Sequence, residues 1–319
     1  MRIGLLVFLL AWLNLPARQA ATHDKVLAGH SGYVRSLAFS PDSKTLLSAG
    51  WDKTLRAWDV TTGTESRKLE SQHGYITAVA VSPDGSLVAW AGEDGVVRLR
   101  PFGLGDPITE LRGHRMFVSA LAFSPSGRLL ASAGADAIVR IWDIASSRLL
   151  RSLTGHISFV GALAFSRDEQ YLASGGDDHE VRIWRVADGS LVRVLTGHSR
   201  YVSAVCFLDD PSLLASASDD RTIRIWRWEA GKTVQVLTGH SSGMSSLACC
   251  AGSAVLVSAG WDGRILLWDY ANSKQIQVID LAPQPILAVC LSPDGKALAA
   301  AEAGGRIQTW TLSQPHSGR

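Results

Sequence analysis

Apolar and polar positions alternate along this chain in short runs, not in long faces. Val34 to Phe39 (VRSLAF) is short and mostly apolar, and a turn at Ser40-Pro41-Asp42 follows it. The same turn recurs at Ser82-Pro83-Asp84-Gly85 and Ser292-Pro293-Asp294-Gly295, where Pro fixes φ and Gly supplies a positive one. A second apolar run covers Thr45 to Ala49, a tight turn sits at Trp51 to Lys53, and a third run, Leu55 to Asp59, closes on Trp58 and an acid. A fourth, more polar run leads into the next Gly-His pair, as in Leu191 to Leu195. Runs of five or six residues bounded by Gly, Pro, Asp and Ser predict strands.

These four runs form one unit, and the unit repeats. Stepping by 42 residues from Trp58 reaches Arg100, Trp142, Trp184, Trp226, Trp268 and Trp310. Stepping from Asp52 reaches Asp94, Asp136, Asp178, Asp220, Asp262 and Gly304, and stepping from His30 reaches Gln72, His114, His156, His198, His240 and Ala282. No insertion or deletion interrupts the seven copies. Four short strands per unit, repeated seven times, predict an all-β propeller rather than a sandwich. The run Asp24 to Leu27 aligns with the fourth strands, and the last unit lacks a fourth strand of its own, so the N-terminal strand is expected to complete the last blade and remove an exposed edge.

Gly-His, then Ser-Ala-x-x-Asp, then Ile-x-x-Trp-Asp resembles the WD40 repeat family over about residues 22–314. The resemblance implies a closed ring of seven four-stranded antiparallel blades. It also implies a buried tetrad in each blade, in which Asp orients His, His contacts Ser, and Ser accepts from the Trp indole. Five blades carry all four residues: His30, Ser48, Asp52, Trp58; His114, Ser132, Asp136, Trp142; His156, Ser174, Asp178, Trp184; His198, Ser216, Asp220, Trp226; and His240, Ser258, Asp262, Trp268. A Ser, a His and an Asp suggest a hydrolase, but five copies are a frame, and no G-x-S-x-G turn accompanies any of them. Blade two departs with Gln72, Trp90, Asp94 and Arg100, which predicts Arg100 stacked on Trp90. Blade seven departs with Ala282, Ala300 and Gly304, so its network is expected to be missing. Both are expected to be the softer blades.

Composition changes little in this picture. The chain has 319 residues, 46% hydrophobic and 19% charged, with net charge +2 and no basic stripe, so neither nucleic acid nor a strongly charged partner is indicated. Residues 1–21 read as a signal peptide or hydrophobic leader, with Arg2 before the apolar run Ile3 to Leu13 and a break at Pro16. That run is too short to span a bilayer comfortably. The chain is then exported, periplasmic or secreted, if the leader is a signal, and cytoplasmic if it is not. Residues 315–319 are a tail. Cys206 and Cys290 stand in an otherwise Ala column and Cys249 in a mostly aromatic one, while Cys250 completes the four. Disulfides among them are not expected, and with no C-x-x-C or His cluster no metal or cofactor is expected either.

In the family the resemblance points to, partners bind the face around the central channel. Three columns carry over. The residue before the turn Asp gives Trp51, Glu93, Asp177, Asp219 and Trp261, among small residues. The third residue after the His gives Tyr33, Tyr75, Phe117, Phe159 and Tyr201, with Gly243 and Pro285. The fifth gives Arg35 and Leu287, with Thr77, Ser119, Gly161, Ser203 and Ser245. The aromatic column either packs on neighbouring blades or is recruited by an interface. Blades six, seven and one form an apolar sector, and blades two, four and five an acidic one. The expected function is a non-catalytic, monomeric scaffold that takes a protein loop or peptide at the channel mouth. A glycan-binding propeller with Trp51 and Trp261 stacked on sugars is the alternative, and a propeller enzyme is less supported.

Overall fold

The computed structural model describes residues 21–103, 108–250, 252 and 254–312. The leader assigned to residues 1–21, apart from Ala21, and the tail at 315–319 lie outside them. The described residues form 28 strands, β1 to β28 in chain order, and one three-residue 3₁₀ turn, Trp228–Ala230. Blade one consists of β2 (Val34–Phe39), β3 (Thr45–Gly50), β4 (Thr54–Asp59) and β5 (Glu65–Glu70), hydrogen-bonded in that order. Five more blades repeat the order. The seventh sheet runs β26 (Ile286–Leu291), β27 (Ala297–Glu302), β28 (Ile307–Leu312), then β1 (Ala21–Leu27). The protein is therefore all-β, with seven antiparallel four-stranded blades in a ring. Among the described residues no helix is long and apolar enough to cross a membrane.

The strands alternate in-and-out, so each blade has two apolar faces and each must be covered. Neighbouring blades cover them. The core is thus seven slabs, one between each pair of successive blades. Between blades four and five, Ala162, Ala173, Val181, Ile183 and Leu195 meet Val202, Phe207, Leu214 and Trp226. Between blades seven and one, Ala299, Ala301 and Ile307 meet Val34, Phe39, Leu46 and Trp58, and Leu27 of β1 lies in the same slab. The repeated Trp is the largest side chain of each slab it enters, and Trp58, Trp142, Trp184 and Trp226 are fully buried. At about 25 cal/mol per Å² over the roughly 150–250 Å² an aromatic side chain buries, each such indole stabilises by at most about 4–6 kcal/mol.

β1 runs antiparallel to β28, from Ala21 opposite Leu312 to Leu27 opposite Ile307. Its start is tied to blade six as well. The Ala21 amide donates to Gln277 Oε1 at 2.7 Å, and Gln277 Nε2 donates to the Ala21 carbonyl at 3.1 Å.

The two atypical blades solve their substitutions differently. In blade two the indole of Trp90 enters the slab facing blade one from the Ser position, and the Arg100 guanidinium lies 5.9 Å from the centre of its ring. In blade seven the expectation of an absent network needs correcting. Glu302 is 1% exposed there, and its carboxylate accepts hydrogen bonds from Gln308 Nε2 and from Arg306 Nη2, the latter at 3.1 Å. Glu302 stands where blade one has Gly50. A Cβ at Gly50 would come within 2.9 Å of both Asp52 Oδ1 and His30 Nδ1. With Ala282 and Gly304 in place of His and Asp, that room is open, and a carboxylate fills it.

Candidate functional site

The mouth of the ring is built on the tetrads. In blade five the His198 Nδ1–H donates to Asp220 at 2.8 Å, the Ser216 hydroxyl lies 2.7 Å from His198 Nε2, and the Trp226 indole donates to Ser216 Oγ at 2.7 Å. Blades one, three, four and six repeat this chain of bonds with Ser–His contacts of 2.7–2.8 Å and indole–Ser contacts of 2.8–2.9 Å. Every one of the five Ser is fully buried, with its hydroxyl shared between imidazole and indole. Each hydroxyl is thus committed to holding its blade together. Burial lowers the pKa of His30, His114, His198 and His240 despite the adjacent carboxylates. Burial works against ionisation of Asp220 too, but hydrogen bonds from Thr222 and His198 outweigh it and hold the carboxyl below its usual range. A neutral imidazole facing a carboxylate is the state both shifts favour.

Two further devices aim side chains at the channel. The turn Asp also accepts from the amide two residues on, as Asp52 does from Thr54 at 3.1 Å and Asp220 from Thr222 at 2.9 Å. The residue between takes a positive φ, 64° at Lys53 and 70° at Arg221, where blades two, six and seven use glycine. The second device is a β-bulge near the start of every first strand. The register skips Arg35, Thr77, Ser119, Gly161, Ser203, Ser245 and Leu287. A bulged residue is unpaired and re-aimed, and here it turns toward the axis. Three of the bulge hydroxyls are consumed in stitching blades together. Ser119 donates to the Val160 carbonyl at 2.9 Å, Ser245 to that of Ile286 at 2.5 Å, and Thr77 to that of Val118. Arg35 is the only charged residue in this column.

The columns meet around a cavity of about 480 Å³ at the mouth. Of the twelve residues expected there, Arg35, Trp51, Phe117, Phe159, Tyr201, Asp219, Trp261 and Leu287 line it. Leu287 is buried and forms wall, not rim. Trp51 and Trp261 are 41% and 46% exposed. The remaining four expected residues stand outside the cavity. Tyr33 and Tyr75 flank the Trp51 ring at 5.2 and 5.7 Å between ring centres. Glu93 accepts the Tyr75 amide at 3.3 Å, and Asp177 accepts the Ser158 hydroxyl at 3.0 Å. A second aromatic row, Phe117–Phe159–Tyr201, has 5.6 Å between successive rings. The aromatic column therefore packs blade on blade, and Tyr33, Tyr75 and Phe117 still present exposed surface.

The WD domain, G-beta repeat family matches residues 22–59, 63–100, 105–143, 147–185, 189–227 and 231–269. The chain belongs to the WD40 family. Each match runs from the fourth strand of one blade to the third strand of the next, so the sequence repeat and the spatial blade are offset by one strand. The six matched stretches stop before the unit that lacks three tetrad positions. In this WD40 propeller one acid of the acidic sector, Asp219, is perturbed. Burial raises the Asp219 carboxyl above its usual value, Arg200 opposes that, and Asp177 and Asp220 add to it. Burial likewise pushes the Tyr201 phenol up, with Arg35 opposing and Asp219 and Asp177 reinforcing.

Two features of the site go beyond the expected columns. Met116 and Ile157, in the short loops that follow His114 and His156, are 53% and 86% exposed. The third-strand arginines crowd the tetrad acids, as in Arg140 Nη1 to Asp136 Oδ2 at 2.7 Å. Stepping by 42 from Arg56 would have found that column. Among the described residues no group of three or more His, Cys, Asp or Glu is arranged to hold a metal ion.

Proposed function

We propose that this WD40 propeller binds a protein partner at the channel mouth, through a segment that sets an apolar side chain beside a Lys or Arg. WD40 propellers are typically protein-interaction scaffolds, and the family is generally non-catalytic. The observation that carries the finer reading is the pairing, around one cavity, of two exposed indoles with a partly desolvated carboxylate. Trp51 and Trp261 offer rigid apolar area at low entropic cost, as interface anchors do. Asp219, desolvated and repelled by Asp177, gains from a cationic neighbour. A guanidinium or ammonium beside the anchor supplies that charge, and it leaves the tetrads untouched.

The test is a pull-down from the native organism with the tagged chain, repeated with the Trp51→Ala/Trp261→Ala pair and with the Asp177→Asn/Asp219→Asn pair. Both pairs are expected to abolish capture, while Trp51→Ala, which loses its ring contacts, costs about 1 kcal/mol of stability. Capture that survives both pairs moves the site elsewhere. A glycan array run in parallel separates the sugar-stacking alternative, which loses binding with the indoles but not with the carboxylates.

A further inference from the structure

The slab between blades five and six holds a pair of side chains found at no other interface among the described residues. At each interface, strand alternation turns one residue of a first strand forward and the next residue of the following first strand back to meet it. Ala164 and Phe207 share a slab in this way, as do Ala248 and Leu291, and Cys290 and Phe39. Between β18 (Val202–Phe207) and β22 (Met244–Cys249) the two positions are Cys206 and Cys249. Cys206 is buried, and Cys249 packs against the same cluster while keeping some solvent access. The Cys249 thiol donates to the Phe207 carbonyl at 3.4 Å, so its sulfur sits beside the backbone of Cys206's neighbour.

We propose that Cys206 and Cys249 are the two halves of an inter-blade disulfide that forms in the folded ring on exposure to a small-molecule disulfide. The neighbouring Cys249 and burial together push the Cys206 thiol up. The neighbouring Cys206 lowers the Cys249 thiol, which makes it the sulfur that ionises first. In the exchange, the Cys249 thiolate attacks one sulfur of oxidised glutathione, and one glutathione thiolate leaves. Cys206 then attacks Cys249 Sγ and expels the second. Two electrons pass from the cysteine pair to the glutathione disulfide, and the two cysteine protons end on the two glutathione thiols. The new bond links residues 43 apart in sequence, near the C-terminal ends of β18 and β22.

The experiment incubates the intact protein with oxidised glutathione, alkylates it, and maps peptides without reduction. The expected result is a Cys206–Cys249 cross-linked peptide, a chain 2 Da lighter, and a Tm raised by about 5 °C that falls back on reduction. Cys206→Ala installs the residue that other blades carry at this position, so it folds, and it should abolish both the cross-link and the rise in Tm. A wild-type chain whose Cys206 remains fully alkylatable after denaturation overturns the proposal. So does a cross-link that joins Cys249 to Cys250 or involves Cys290, or a Cys206–Cys249 cross-link that lowers Tm.

Discussion

Replacing Ser216 with Ala isolates what one tetrad contributes. The hydroxyl is fully buried, accepts the Trp226 indole at 2.7 Å and lies 2.7 Å from His198 Nε2. Its removal deletes one atom and leaves two buried polar groups, an indole N–H and an imidazole nitrogen, with no bond at that site. Each such group costs about 1–3 kcal/mol, so the expected loss is about 2–5 kcal/mol, larger than the ~1 kcal/mol of an average hydrogen bond. Urea unfolding followed by far-ultraviolet circular dichroism measures it, and an unchanged m-value shows that both end states keep their exposure. Trp226→Phe in the Ser216→Ala background removes one of the stranded groups. The second substitution should therefore cost less there than in the wild type, with a coupling of about 1–2 kcal/mol. A loss below about 0.5 kcal/mol for Ser216→Ala, or an additive cycle, refutes the reasoning that buried polar satisfaction holds the blade.

Two further outcomes are expected. Burial holds His30, His114, His198 and His240 below the ordinary value of 6.5, so above that pH both folded and unfolded imidazoles are neutral and stability is complete. As pH falls through 6.5 the unfolded chain takes up protons the ring refuses, so the urea midpoint should fall below pH 6.5 and fall again below 3.8 as the lowered tetrad acids protonate; a midpoint flat from pH 7.5 to 5 contradicts this. Deleting residues 22–28 removes the ladder on β28 and takes Leu27, alone worth about 2–5 kcal/mol, out of the slab between blades seven and one. The melt of the whole ring should shift down, and an unchanged melt would show that β1 does not hold it shut.

Much of this architecture was legible because a constant period of 42 makes a sequence column equivalent to a spatial superposition. His30, Ser48, Asp52 and Trp58 are far apart in sequence, yet copying identifies them as one network. Columns read alone do not reveal what couples different columns. The bulge that turns Arg35 and Ser119 toward the axis depends on strand register, which no single column encodes. Cys206 and Cys249 fall in different columns of different blades, so the period conceals their contact. Glu302 was in principle readable, since stepping from Gly50 meets Gly or Ser until that acid; its meaning required seeing that a missing His and Asp leave room for it. The ring contacts of Trp51 with Tyr33 and Tyr75 depend on how neighbouring blades splay, and composition carries no trace of that.

The pairing of β1 with β28 also determines how the ring responds to force. Ala21 lies opposite Leu312, so β1 and β28 bring both ends of the described chain to the same end of one blade. Tension applied between them peels β1 from β28 one ladder bond at a time instead of shearing all of them together. Anything tethered to both ends pulls directly on that ladder. Load carried across other blades is instead spread over complete sheets and their slabs. A fusion or surface attachment through a single end spares that seam, while one that uses both ends turns blade seven into a mechanical fuse.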